Sequence, residues 1–190
     1  MAETHLTAST ALECRTKYQL NNEGWCKIGI LKGVDKDALM PHTLIPHPTN
    51  GTYFFGRIEE KTVKGLVIPG APIILRRGNH GRKGGFGVRH IWARHEADLR
   101  KRGYESEADV SRYVAAIVLA GSPVYCEFER IRDPRVSIVR SSVGMAVLEY
   151  KTDRDDNCVY SVVTAFSHRN PHGTRIGSVL AYEAINEAGD

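Results

Sequence analysis

The sequence predicts an α+β domain in which two helices precede a four-stranded antiparallel β-meander, with an N-terminal strand-and-loop extension. Two observations carry this. Between residues 90 and 121 apolar side chains recur at helical spacing, and beyond residue 123 the period falls to two. Helices followed by alternating strands are the segregated arrangement of an α+β domain. The 190 residues, 42% hydrophobic and 25% charged, are enough to bury one good core, and the chain shows no internal repeat or low-complexity tract.

The elements follow in order. Residues 1 to about 20 have no apolar period and read as a loose arm. From "CKIGILKG" to "TYFFGRIEEKTVKGLVIPGAPIILRR", short β-branched runs alternate with Gly and Pro, which predicts short strands and long connections, with "LMPHTLIPHPTNG" as a loop. "RRGNHGRKGGFG", with five glycines in twelve residues, reads as irregular backbone able to approach a ligand closely. "RHIWARHEADLRKRG" predicts a helix on Ile91, Trp92 and Leu99 that stops at Gly103. "ESEADVSRYVAAIVLAG" predicts a second, with Ser106 and Asp109 as a capping pair, one stripe of Val110, Tyr113, Val114, Ile117 and Val118, and a stop at Gly121. "VYCEFERI", "RVSIVR", "GMAVLEYK" and "CVYSVVTAF" then alternate as strands separated by turn residues. The expected layout is an arm and extension over 1–55 packed on a core over 56–170, with a tail over 171–190.

Charge is concentrated in one place. The net charge is +4, yet Arg76 to Arg102 holds nine Lys or Arg against Glu96 and Asp98, so the rest of the chain is slightly acidic and the basic patch is local. The four cysteines, Cys14, Cys26, Cys126 and Cys158, are widely spaced without a CxxC pair, which favours reduced, buried thiols. No leader-like basic and apolar start and no 18-residue apolar run occurs. A cytoplasmic protein is the expectation.

"GGFGVRHIWARH" sets His90 and His95 five residues apart, at the junction of the glycine-rich stretch and the first helix. Imidazoles titrate near neutral pH, so two of them around a substrate can act as general base and general acid. On an ideal helix five residues turn through about 500°, leaving the two about 140° apart, so they converge only if His90 lies at or before the helix start. The alternative is a pair of solvated histidines on a basic helix. A zinc site is disfavoured: H-x4-H has no cysteine pair to complete it, HExxH is absent, and Pro171 interrupts His168-x3-His172.

Gly87-x-x-His90-Ile91-x-x-x-His95, followed by an amphipathic helix and a meander ending in "VYSVVTAF", resembles the nuclease superfamily that joins barnase, EndoU, the tRNase colicins and RelE, in particular its phage-associated members. The likeness covers roughly residues 60 to 170. It implies a metal-independent endoribonuclease of RNA, tRNA among the candidate substrates, in which the vicinal 2′-hydroxyl attacks and leaves a 2′,3′-cyclic phosphate. By the same resemblance His90 and His95 are the acid and base pair, with His90 the favoured base, and Thr164 is the hydroxyl residue of the last strand at the scissile phosphate. Strand alternation puts Tyr160, Val162 and Thr164 on one face, which makes Tyr160 a candidate neighbour. Arg140 and Lys151, at strand ends, are the candidate cations for the charged phosphorane.

Arg82, Lys83, Arg89 and Arg94 are candidate RNA-backbone contacts and Phe86, flanked by glycines, a candidate base contact; Trp92 and Tyr104 are weaker stacking candidates. No cofactor and no metal is called for. An immunity or inhibitor protein is the candidate protein partner. Two other classes of function compete: a nucleic-acid-binding module without chemistry, and an ADP-ribosyltransferase-type toxin, of which "RSS" at 140–142 is a weak echo with no E-x-E at a suitable place, "EFE" at 127–129 coming too early.

Overall fold

The structure, a computed structural model, describes residues 40–128, 135–140, 142–152, 157–167, 170 and 172–182. Along them run β1 (Phe54–Ile58), β2 (Lys61–Val63), β3 (Leu66–Ile68), β4 (Ala71–Ile74), β5 (Asn79–Gly81) and β6 (Gly84–Phe86), then helix α1 (Gly87–Arg100), a 3-10 turn (Glu107–Asp109) and helix α2 (Val110–Ile117). Strands β7 (Pro123–Glu127), β8 (Arg135–Arg140), β9 (Gly144–Thr152), β10 (Cys158–Phe166) and β11 (Thr174–Ser178) follow. The expected arm at 1–20 and the strand at "CKIGILKG" lie outside the described residues.

The architecture is mostly β and overturns the expected two helices plus a four-stranded antiparallel meander. Seven strands form one mixed sheet in the order β1-β4-β10-β9-β8-β7-β11, and β10 runs parallel to β4. Strands β7 to β10 pair antiparallel in chain order, but the sheet continues past them on both sides. β4 escapes a search for alternation because "APII" is buried at every position, as a strand covered on both faces must be. β11 escapes it because Ile176 is its one buried residue, and it lies in the stretch read as a tail. Beyond β11, Leu180 exchanges two backbone hydrogen bonds with Arg57 of β1, at 3.0 and 2.9 Å, so the sheet curls until its two ends meet.

The glycine-rich stretch is ordered as a hairpin rather than irregular. Gly81 faces Gly84 across a two-residue turn of Arg82 and Lys83, and Asn79 faces Phe86. The Pro-rich segment before β1 runs as a loop beside Leu75 to Gly78, tied there by Ile45 N–H to the Leu75 carbonyl (2.9 Å) and Arg77 N–H to the Thr43 carbonyl (2.8 Å).

One core joins helices and sheet. Ile91 and Leu99 of α1 and Val110, Tyr113, Val114 and Ile117 of α2 are fully buried against Ile138, Ala146, Tyr160, Val162 and Ala165. Burying a side chain the size of Ile or Leu contributes about 1.5–3 kcal/mol, so these two positions fix which side of α1 faces the sheet. The second helix begins as its sequence predicts: the Asp109 carboxylate accepts from the Ser106 hydroxyl (3.0 Å) and from the Ser106 and Glu105 N–H groups, and these bonds hold it below the usual carboxylate range. Gly144 lies where a Cβ would meet the Tyr113 hydroxyl and the Phe166 carbonyl, so α2 packs directly on the backbone of β9. Cys126 is a buried free thiol, whereas Cys158 is disulfide-bonded, so the expectation of reduced thiols fails at Cys158.

Candidate functional site

The site is built around α1, whose start is fixed by backbone. Gly87 has φ +74° and lies so close to the Arg76 carbonyl that a Cβ would collide with it. Val88 and Arg89 then donate their N–H groups to the Arg76 and Arg77 carbonyls, both at 3.0 Å, which satisfies two of the donors a helix leaves open at its N-terminus. His90 is therefore the fourth helical residue, not a residue before the helix. The condition for His90 and His95 to converge is not met, and each ring is engaged by a different element.

His90 meets the hairpin. Its Nδ1 lies 3.1 Å from Nδ1 of His80 on β5, with ring centroids 5.3 Å apart. The ring also packs on β6, since a Cβ at Gly85 would stand 2.9 Å from His90 Nδ1. Burial first, then the fields of His80, Arg94 and His95, hold His90 below the ordinary histidine value of 6.5. His95 meets the sheet. Its Nε2 lies 3.5 Å from the Thr164 hydroxyl of β10, and its ring lies 5.5 Å from that of Phe166. Burial and Arg94 lower its pKa below 6.5, and Asp98 opposes them. Each imidazole thus has a partner at one ring nitrogen, and each favours the neutral form.

Thr164 is brought to His95 although the alternation that groups it with Tyr160 is broken. Val162 faces Leu148 and Thr164 faces Val147, so Val163 is an extra residue in β10. Tyr160 is buried in the core and donates its hydroxyl to the Pro69 carbonyl at 2.9 Å, with burial raising its pKa. Arg140 donates to the Ala116 carbonyl near the end of α2 at 2.8 Å. Both groups are engaged in bonds that hold the fold together, and neither is the hydrogen-bond partner of His90 or His95. Lys151 pairs with Glu149 at 2.9 Å and lies over the Phe86 ring at 5.9 Å, which keeps it at the hairpin end of α1.

The expected binding residues divide in the same way. Arg82 and Lys83 form the exposed tip of the β5–β6 hairpin, and Arg89 and Arg94 are exposed on α1 without an ion pair among the described residues. By contrast Arg100 pairs with Glu96 at 2.9 Å, Arg102 pairs with Asp98 at 3.5 Å, and Arg76 is buried. Phe86 is half-buried between Lys151 and the His42 ring, whose centroid is 5.9 Å away. Trp92 packs on the core under Arg100, and Tyr104 packs edge-on against Tyr113, so neither is presented as a stacking platform.

Sequence reasoning misses His80 and Phe166. His80 becomes visible once "NHGRKGGF" is read as a hairpin with a two-residue turn between paired glycines. Phe166 stands two residues beyond Thr164 on the same strand, and period two alone places it with Thr164. Of the two histidines of H-x3-H, His168 lies outside the described residues, as does Ser141 of "RSS". Among the described residues no group of three or more His, Cys, Asp or Glu is placed to hold a metal ion, and no helix is long and apolar enough to cross a membrane. No protein-family model matches the chain, and no curated protein or solved structure is significantly similar to it.

Proposed function

We propose that this protein is a metal-independent endoribonuclease acting in the cytoplasm, with His90 and His95 as general base and general acid. One observation carries the reading: two imidazoles on one helix that also carries exposed Arg89 and Arg94, both held below 6.5 and each with one ring nitrogen engaged by a partner. A neutral imidazole accepts the 2′-hydroxyl proton, the oxygen attacks the adjacent phosphorus, and the charged imidazole returns a proton to the departing 5′-oxygen. Arg82, Lys83, Arg89 and Arg94 supply backbone affinity and Phe86 a surface for a base. The resemblance in G-x-x-H-I-x-x-x-H supports the same class of reaction and makes tRNA, and an immunity or inhibitor protein, the substrate and partner to try first.

The competing reading is a nucleic-acid-binding protein without chemistry. It is favoured by the separation of the two rings, which leave α1 about 140° apart. Purified protein incubated with total RNA in EDTA separates the two: the nuclease yields fragments ending in 2′,3′-cyclic phosphate and 5′-hydroxyl, and the binding module yields intact RNA that is merely retarded.

A further inference from the structure

The geometry points to His80 as a positioning residue that sets the tautomer of His90, with His80 Nδ1 accepting the proton on His90 Nδ1 and leaving His90 Nε2 as the open lone pair. The inference rests on the function proposed above for its consequence, but its first test does not depend on that function. It starts from the 3.1 Å separation of the two Nδ1 atoms. A hydrogen bond between two like nitrogens needs a proton on one and a lone pair on the other, so the contact holds in two arrangements for a neutral pair. If His80 donates, His90 carries its proton on Nε2 and has no lone pair left to offer. If His90 donates, Nε2 is free to accept.

The two arrangements differ when His90 takes up a proton. When the 2′-hydroxyl proton moves to Nε2, His90 becomes an imidazolium whose Nδ1–H still donates to neutral His80, and every hydrogen bond of the pair is kept. The opposite arrangement would place two protonated nitrogens face to face. The pair therefore admits one positive charge and resists a second. The charged and titratable groups acting on His90 are His80 from β5 and Arg94 and His95 from α1 itself, and all of them work against that second charge.

The contact rests on the hairpin. Gly81, Arg82, Lys83 and Gly84 close a two-residue turn that holds Asn79 opposite Phe86, and Phe86 is the residue before α1. His80 is thus carried to the first turn of the helix by the shortest possible loop. Because it is exposed, replacing it leaves the core intact.

Long-range ¹H–¹⁵N NMR of the full-length protein above pH 7 reads the tautomers directly. An isolated neutral histidine prefers its proton on Nε2, so finding His90 protonated on Nδ1 is not the default. That is the expected result, with His80→Ala shifting His90 toward the Nε2–H form. In ribonuclease assays His80→Ala is expected to lower kcat about 10- to 100-fold with KM little changed, the scale of losing an orienting partner. His80→Asp, which can only accept, is expected to recover most of that loss and to move the acid limb of the pH profile upward, since a carboxylate favours the imidazolium. A proton on Nε2 of wild-type His90 overturns the assignment, and so does an unchanged kcat and acid limb in His80→Ala. Wild-type protein that leaves RNA intact counts against the nuclease instead, and the NMR result then decides the role of His80 alone.

Discussion

The two ends of α1 hold their histidines by different means. His95 is anchored to β10, a central strand of the seven-stranded sheet, through Thr164 and Phe166. His90 is anchored to a hairpin outside that sheet, through His80 and the backbone at Gly85. One histidine is therefore as fixed as the core, and the other is as fixed as a hairpin whose tip is exposed glycine, arginine and lysine. Local stability follows the buried contacts an element makes, so the hairpin end of α1 is the less constrained of the two. Under the proposed nuclease reading the difference fits a division of roles: the sheet-held His95 suits the group that meets the departing oxygen, and the hairpin-held His90 suits the group that finds the 2′-hydroxyl.

The largest effects break the comparison outright. Replacing His90 or His95 by Ala is expected to lower the rate of RNA cleavage about 10²- to 10⁴-fold while RNA affinity stays within a few fold, as for a positioned acid or base. The double variant is expected to lose far less than the product of the two, because both groups act in one step. Steady-state kinetics against a defined RNA checks both, and a double variant with the wild-type rate removes the histidines from the mechanism. Thr164→Val keeps the shape and removes the hydroxyl; it is expected to cost about tenfold, between wild type and His95→Ala, since one uncharged hydrogen bond contributes about 0.5–1.5 kcal/mol. Unchanged NMR signals of His90 in that variant sharpen the contrast between the two ends.

Legibility in the sequence follows the same division. α2 is readable at its start, because the Ser106 and Asp109 pair and the apolar stripe are local signals that agree, whereas it ends at Ile117, short of the expected stop at Gly121. β7 to β10 are readable as strands because each is an apolar, β-branched run between turn residues; β7 alternates in burial, whereas β9 and β10 are buried along their first five residues. What fails is non-local. Nothing local in "APII" says that β4 inserts beside β10, and nothing in "TRIGS" says that β11 extends the far edge, because those pairings are decided by partners far away in sequence. At the site, His90, His95 and Thr164 are legible as residues, but their partners are not. The helix starts one turn earlier than a converging pair requires, because Gly87 and the Arg76 and Arg77 carbonyls cap it there. Tyr160 is grouped with Thr164 only by an alternation that Val163 interrupts.

A smaller effect separates the tip of the hairpin from its histidine. Arg82 and Lys83 lie beyond His80 on the turn and are exposed, so their charge is expected to act on RNA affinity alone. Changing both to Gln is expected to weaken binding and to lower the slope of log K against log salt by roughly one for each phosphate no longer neutralised. Fluorescence anisotropy across a salt series measures it. An unchanged slope places the RNA away from the hairpin.

The finest test is acidity, because burial lowers both histidines and their neighbours differ. The folded protein resists protonating either ring, so the bell of kcat/KM against pH is expected to be centred below 6.5, the value both would have if exposed. Bound RNA adds negative charge and favours the imidazolium, so the bell of kcat is expected to lie at higher pH than that of kcat/KM. The same lowering has a consequence for stability. As pH falls through 6.5 the unfolded chain takes up protons that the folded chain does not, so stability present above that value is lost progressively until the folded histidines titrate in turn. Melting curves from pH 7.5 to 5 are expected to show a decline of a few degrees at most, given that both rings are partly solvated. His95→Gln is expected to flatten it more than His90→Gln, because the sheet-held ring cannot move toward water whereas the hairpin-held ring can. Equal flattening by the two variants would show that the ends of α1 are equally rigid.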